Sequence, residues 1–279
     1  MPGISEKAMQ PEQIRLTGAS ETLLITLQAK AAESAMPDSL LRDSFAADAL
    51  HRIDQNSGRL KVGHDMTIGI ALRAYILDRW TEAFLQRCPE ATVLHLGCGL
   101  DSRIFRIDPG PGVRWFELDF PDVISLRQQI YPDRADCAMI ACSVVEHGWI
   151  AKLPADRPAM IVAEGVLPYL KEGQVAQVLR QIVGHFPSGE IAFDAYSSFA
   201  IQLLRFNPAI RATGACLHWA LDDPAEMERQ VAGLKLIEDR SDWDTEQVAR
   251  MSPPAQIALQ LFRTILTPYR MGRLVRCGF

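Results

Sequence analysis

The sequence predicts an α/β fold: a mostly parallel sheet with helices on both faces, preceded by a helical extension. Three observations predict it. From residue 92 onward strand-like and helix-like segments alternate, the pattern of parallel strands joined by helical crossovers. The first strand-like segment runs directly into the glycine turn Gly97-Cys98-Gly99. The second ends on an acid, Asp119, about 20 residues after those glycines.

The chain has 279 residues, 48% of them hydrophobic. That is long enough for one large domain, or for a core domain with a helical appendage. Residues 1–12 read as a loosely held tail, broken by Pro2, Gly3 and Pro11. From about Thr17 to Cys88 the chain is helical in character. Glu21–Ser34 is rich in Ala, Leu, Gln and Lys; Pro37 and Asp38 interrupt, and Asp38 or Ser39 is placed to cap the next helix. Thr67–Cys88 reads as a long amphipathic helix, with Ile70, Leu72, Tyr75, Ile76, Trp80 and Phe84 on or near one face, ended by Pro89. Residues 1–88 are therefore expected to form a helical extension and residues 89–279 the core.

Within the core, Thr92–Leu96, Trp115–Asp119, Ala138–Ser143, Ala159–Glu164 and Gly189–Ala195 read as five strands, with helices at 121–131 and 171–185. Residues 196–213 look helical, and Pro224–Val231 reads as another short helix. Gly233–Arg240 and Gly272–Phe279 read as two further strands around a helix at about 254–266. This late pair brings the number of strands to seven.

Composition excludes several classes of function. The net charge of −5 gives no global positive field to attract nucleic acid. Residues 1–15 are polar, without the apolar stretch of a secretory signal. No apolar run approaches the roughly 20 residues that span a bilayer. Six dispersed cysteines, without a CxxC pair or paired histidines, argue against a metal site and for reduced thiols in a cytoplasm. The expected partner is a small molecule, with neither nucleic acid nor membrane; nothing in the sequence sets an oligomeric state.

In Val93-Leu94-His95-Leu96-Gly97-Cys98-Gly99-Leu100-Asp101 a strand ends in a turn whose glycines permit backbone angles that a Cβ would block. Open α/β sheets bind nucleotide-like ligands at such turns. A dinucleotide fingerprint needs a third glycine, and Ser102 follows Asp101 instead. The pyrophosphate reading, a nicotinamide-dependent oxidoreductase, therefore loses ground. At the end of the second strand, Asp119 can accept both hydroxyls of a ribose, a task for an acceptor-only group; a helix cap ahead of Pro121 is the plainer alternative. Glu117 alternates with it and is a lesser candidate.

Leu96-Gly97-Cys98-Gly99-Leu100-Asp101-Ser102-Arg103 resembles the glycine signature of the leucine carboxyl methyltransferase family, whose bacterial branch includes the tetracenomycin polyketide O-methyltransferases. Phe116-Glu117-Leu118-Asp119-Phe120-Pro121-Asp122-Val123 is similar to the family's second block, and Ala163-Glu164-Gly165-Val166-Leu167-Pro168-Tyr169-Leu170 to its third. The resemblance implies a class I, Rossmann-like methyltransferase that uses S-adenosylmethionine (SAM), with a seven-stranded sheet whose edge is an antiparallel late pair, a helical N-terminal extension and a substrate-covering lid at about 196–232. It implies SAM contacts from Gly97, Cys98 and Gly99, the ribose on Asp119 beside Phe120, and Glu164 and Gly165 near the methionine part. A basic residue of the N-terminal helices holds the SAM carboxylate in that family; Arg73 is the first match and Lys30 the second. An arginine can pair a carboxylate with two parallel hydrogen bonds. This chain departs from the family in having Ser102 for threonine and Pro168 for methionine, and Ser143 and Val144 where an Asp-Leu pair flanks the adenine.

The resemblance implies an O-methyltransferase acting on a carboxylate, or a hydroxyl, of a small molecule such as a polyketide; the alternative is a protein C-terminal carboxyl methyltransferase. A carboxylate acceptor is ionised at neutral pH and needs no general base, whereas an alcohol or phenol does. His64, His147, His185 and His218 are available as bases, but none stands in a motif that compels catalysis. His218, Tyr196 and His147 are the weak catalytic candidates. Phe199, Leu203, Phe206 and Trp219 suit an apolar acceptor wall, though their spacing equally suits ordinary core.

Overall fold

A computed structural model describes residues 19–53, 62–204, 216–241, 245–265 and 272–279. Among the described residues three helices precede the sheet: α1 (Ala19–Ser34), α2 (Ser44–Arg52) and α3 (His64–Arg87). The sheet region follows as β1 (Thr92–Leu96), α4 (Arg103–Ile107), β2 (Arg114–Asp119), α5 (Pro121–Ile130), β3 (Cys137–Ala141), β4 (Ala159–Ala163), α6 (Glu172–His185) and β5 (Gly189–Tyr196). After α7 (Ser198–Leu204) come α8 (Ala225–Gln230), β6 (Lys235–Arg240), α9 (Thr245–Val248), α10 (Pro253–Ile265) and β7 (Gly272–Gly278). The tail expected at 1–12 lies outside the described residues.

The sheet has seven strands in the order β3-β2-β1-β4-β5-β7-β6. β1 to β5 pair in parallel, while β7 runs antiparallel between β5 and β6. The expected antiparallel edge is present. Central strands β1 and β4 are buried throughout, as continuous apolar runs covered on both faces must be. Leu94, Leu96, Ile161 and Phe193 point to one face, against Val175, Val178, Leu179 and Ile182 of α6. Val93, Trp115, Met160 and Val162 point to the other, against Ile76, Leu77, Trp80 and Phe84 of α3. The apolar stripe of α3 is thus a sheet-covering face. A third cluster packs Leu24 and Leu27 of α1 and Ala46 and Ala49 of α2 against Leu126 and Ile130 of α5 and Leu100 of the glycine turn.

Strand β3 begins and ends earlier than the expected Ala138–Ser143, β6 starts at Lys235 and not Gly233, and residues 205–213 of the helix expected at 196–213 lie outside the described residues. The helix cap lies at Asp43, whose side chain accepts a hydrogen bond from Ala46 N at 2.9 Å, rather than at Asp38 or Ser39. Those two are engaged elsewhere: Asp38 pairs with Arg250 and Ser39 with Glu33. Chain order reverses between β1 and β4, which lie side by side, so a crevice opens beyond their carboxyl ends. Gly97, Asp119, Glu164 and Tyr196 all stand at or just past the carboxyl ends of their strands.

Candidate functional site

The turn after β1 needs its glycines. Gly97 and Gly99 have φ of +56° and +50°, a region that costs other residues strain. A Cβ on Gly97 would lie 2.3 Å from Val166 Cγ2. Cys98 N donates to Leu118 O at 3.1 Å, pinning the turn to β2. Burial pushes the Cys98 thiol well above its usual pKa, so it stays protonated. Asp119 Oδ2 accepts from Gly99 N and Oδ1 from Phe120 N, each at 2.7 Å. Burial raises its pKa, although those two backbone donors and Arg127 pull the other way. Each carboxylate oxygen keeps further acceptor capacity. Beside it, the Phe120 ring is 53% exposed.

Glu117 does not share the crevice. It is fully buried and its Oε2 accepts from Arg127 Nε at 3.0 Å. Arg127 also donates from Nη1 to Gly99 O and Asp101 O, at 2.9 and 2.8 Å, and so buttresses the turn from below. Glu117 is spent on structure, which removes it as a ribose acceptor.

Glu164 gathers the N-terminal helices. Its Oε1 lies 3.1 Å from Lys30 Nζ and 3.2 Å from Arg73 Nη2, and its Oε2 accepts from Arg103 Nη2 at 2.6 Å. Burial alone would raise its pKa, but Lys30, Arg73 and Arg103 hold it well below the carboxylate range. Both basic candidates, Arg73 and Lys30, therefore converge on one carboxylate. Lys30 also pairs with Asp101 at 3.1 Å, and Asp101 with Arg106 at 2.7 Å. Arg103 and Arg106 share Asp78, and Arg106 and Ser102 share Asp43. Arg73 Nη1 donates to Asp194 Oδ2 at 2.9 Å, while Asp194 Oδ1 accepts from Gly165 N at 2.5 Å. Gly165 has φ of +67°, and a Cβ there would lie 3.7 Å from Arg73 Nη2.

Beside Arg73 a cavity of about 220 Å³ opens between α3, β5 and β7. Tyr196 lines it, with its pKa pushed up to about 12 by burial against the opposing pull of Arg73. At neutral pH its hydroxyl keeps its proton and can donate.

The remaining candidates scatter. His218 is exposed, and its backbone N donates to Pro168 O at 2.8 Å. His147 is exposed, with Gln177 Nε2 at 3.5 Å from its Nδ1. His185 sits at the far end of α6 and donates to Leu153 O at 3.0 Å, at the opposite end of the sheet from Glu164. His64 donates to Arg250 O at 2.9 Å. None of these is among the residues lining the cavity. Ser143 is half-buried just past β3 and its N donates to Glu146 at 3.0 Å; Val144 is buried in the core, its carbonyl accepting from Trp149 Nε1 at 3.0 Å. Trp219 belongs to the core, 6.0 Å from the Phe193 ring. Phe199 is half-buried, Leu203 is 41% exposed, and Phe206 lies outside the described residues.

A family model for leucine carboxyl methyltransferases matches residues 23–183. The chain belongs to the leucine carboxyl methyltransferase family. This methyltransferase is 42% identical over 243 residues to the tetracenomycin polyketide synthesis O-methyltransferase TcmP of Streptomyces glaucescens, covering 87% of this chain and 90% of the relative. It is 38% identical over 253 residues to the S-adenosyl-L-methionine-dependent methyltransferase dpfgK of Gibberella zeae, covering 83% of this chain and 85% of that one. Among solved structures, an S-adenosylmethionine-dependent methyltransferase from Mesorhizobium loti superposes with a TM-score of 0.51 at 16% identity, over 74% of this chain and 98% of its own. A DUF574 family protein from Streptomyces avermitilis does so with a TM-score of 0.58 at 13% identity, over 90% and 96%. At such identities the agreement is one of fold. The enzyme is a SAM-dependent methyltransferase on a class I fold, and the nicotinamide alternative falls.

Asp194, Asp101 and Asp78 escaped the reading of the methyltransferase's sequence. Asp194 gave a signal: an aspartate in the apolar run Ile191-Ala192-Phe193-Asp194-Ala195 must have a buried partner.

Proposed function

We propose that this methyltransferase moves the methyl group of SAM to an oxygen of a small-molecule acceptor, a carboxylate ahead of a hydroxyl, in polyketide-like metabolism. The observation that carries the reading is the cavity beside Arg73 and Tyr196, which adjoins Gly165 and Glu164 through the Arg73 guanidinium. It offers a cation and a protonated phenol, both donors, to an acceptor that arrives already ionised. Asp194 is the carboxylate in that wall, and both of its oxygens are engaged by Arg73 and Gly165.

The residues present suit SAM, which carries a sulfonium and an ammonium against one carboxylate. Lys30, Arg73, Arg103 and Arg106 meet Asp43, Asp78, Asp101, Glu164 and Asp194, so within this group the carboxylates outnumber the cations by one. Asp119 would accept the ribose hydroxyls with the capacity its two backbone donors leave free, and the exposed Phe120 ring would cover the adenine, with Ser143 and Val144 at the next strand end. Gly97, Cys98, Gly99 and Gly165 would bring backbone close to the ligand. Of the five N–H groups of Arg73, three face Glu164 and Asp194; the two left would be divided, one toward the methionyl carboxylate, with Lys30 in support, and one toward the acceptor. When bound, SAM supplies an electrophilic methyl whose leaving group is a neutral thioether. The chain then has only to align the acceptor and exclude water.

Division of labour follows the same lines. Residues 89–279 would carry the cofactor crevice and residues 1–88 would contribute α3 and Lys30. The segment 196–232 would cover the acceptor, since His218 N and Trp219 N both reach Pro168 O, at 2.8 and 3.1 Å, just past β4. No helix among the described residues is long and apolar enough to cross a membrane, and a cytoplasmic site of action belongs to this proposal.

The test is product mass from SAM with a panel of aryl carboxylic acids and phenols, followed by mild alkali. A methyl ester is cleaved and an aryl ether is not. Alkali-labile products are expected; exclusively alkali-stable ones would overturn the carboxylate reading.

A further inference from the structure

We propose that Gly69 sets the size of the acceptor by leaving room for a flat aromatic ring against α3. The inference rests on reading the cavity beside Arg73 as the acceptor site. Met66, Gly69, Ile70 and Arg73 line it at helical spacing, so one stripe of α3 forms a wall. Gly69 lies in the middle of that stripe.

A glycine in a helix interior destabilises it relative to alanine. Two ordinary reasons to accept that cost are absent. The backbone at Gly69 is not left-handed, so another residue could adopt it. Nor does another element press against it: among the described residues, apart from its chain neighbours and the backbone of its own helix, no atom lies within 4 Å of where its Cβ would stand. What Gly69 does provide is open space in the cavity wall.

The opposite wall matches a ring. A Cβ on Gly272 would lie 3.6 Å from Tyr196 Cε1, in ordinary contact, so glycine there leaves that part of the Tyr196 ring uncovered. Met66, 36% exposed, offers a thioether to a ring edge. A cavity of about 150 Å³ accommodates benzene, and this one, at about 220 Å³, has room for a second fused ring. With Arg73 in the wall, the occupant is an aryl acid whose ring lies between α3 and Tyr196.

The test uses the full chain saturated with S-adenosylhomocysteine and measures equilibrium binding of benzoate and 2-naphthoate. Three variants are compared: Gly69→Leu, Gly69→Ala, and Gly184→Ala, which alters another helical glycine with open space around it. The parent and Gly184→Ala are expected to bind 2-naphthoate alike, Gly69→Leu about tenfold or more weakly, and Gly69→Ala to lose 2-naphthoate more than benzoate. Both alanine variants should raise Tm by about 2 °C, which keeps the Ala arm readable if Gly69→Leu fails to fold. Unchanged 2-naphthoate binding in both Gly69 variants, or no saturable binding by the parent, would overturn the inference. Equal binding of 2-naphthol and 2-naphthoate, both lost in Gly69→Leu, would keep this inference and sink the carboxylate preference. Alkali-labile products formed equally by parent and Gly69→Leu would do the reverse.

Discussion

Arg73 Nη1 donates to Asp194 Oδ2 at 2.9 Å across a sequence separation of 121 residues. The same carboxylate accepts from Gly165 N. Helix α3, strand β5 and the loop after β4 therefore meet at Asp194, and the direction of the Arg73 guanidinium is set there. Asp194→Asn keeps the shape but removes the charge. It should cost about 2 kcal/mol of stability, the value of a hydrogen bond to a charged group, and raise the acceptor KM about tenfold. Urea unfolding and steady-state kinetics check both.

Asp119 supports a second prediction. Ligand at about 100 times its Kd stabilises a protein by about 2.7 kcal/mol. Asp119→Ala should erase most of the thermal shift produced by S-adenosylhomocysteine, and Asp119→Asn should keep part of it. Because burial holds the Asp119 pKa above 3.8, binding by the parent should begin to weaken on acidification at a higher pH than an ordinary aspartate would set. Calorimetric titration across pH measures this; a thermal shift preserved in Asp119→Ala would refute the ribose assignment.

Glu164 contributes to acid stability, as does Asp101, whose carboxyl Arg106, Lys30 and Arg103 also hold well below its usual pKa. The folded pKa of Glu164 is depressed, so its contribution is complete above about 4.5 and is lost as pH falls further. Glu164→Gln leaves Lys30, Arg73 and Arg103 short of a buried partner, which should cost about 3–5 kcal/mol at neutral pH. It should also flatten the loss of stability below about pH 4.5. Chemical denaturation at several pH values tests the slope as well as the size.

Tyr196 is expected to donate and not to act as a base. With a pKa of about 12, its ionisation lies beyond the working range. Tyr196→Phe should lower kcat/KM for an aryl acid about tenfold, and the parent profile should stay flat between about pH 6 and about pH 9. A rate that climbs with pH across that range would point to a base.

The parts of the site that are written locally were readable from the sequence. The turn at Gly97 and Gly99 and the acid closing β2 lie within short segments whose strand-and-turn chemistry identifies them. Arg73 and Glu164 were named singly, but their meeting was not, because residues 91 apart in the chain are joined only by the packing of α3 on the sheet. The buried chain from Glu164 through Arg103 to Asp78, and through Arg106 to Asp43, was invisible for the same reason. Charged side chains along a helix read as surface until the partner element is known. The misplaced cap shows a smaller version: Asp38 has the right chemistry, but Arg250 claims it.

The placement of β7 between β5 and β6 bears on biosynthesis. Strand β5 is made long before its neighbour, since residues 197–271 must be translated first. At roughly 5–20 residues per second that interval lasts about 4 to 15 s. Throughout it the nascent chain carries an apolar strand with one row of amides and carbonyls unmatched, a template for self-association. Overexpression at low temperature or with holdase chaperones should therefore improve the soluble yield more than any change to the crevice would.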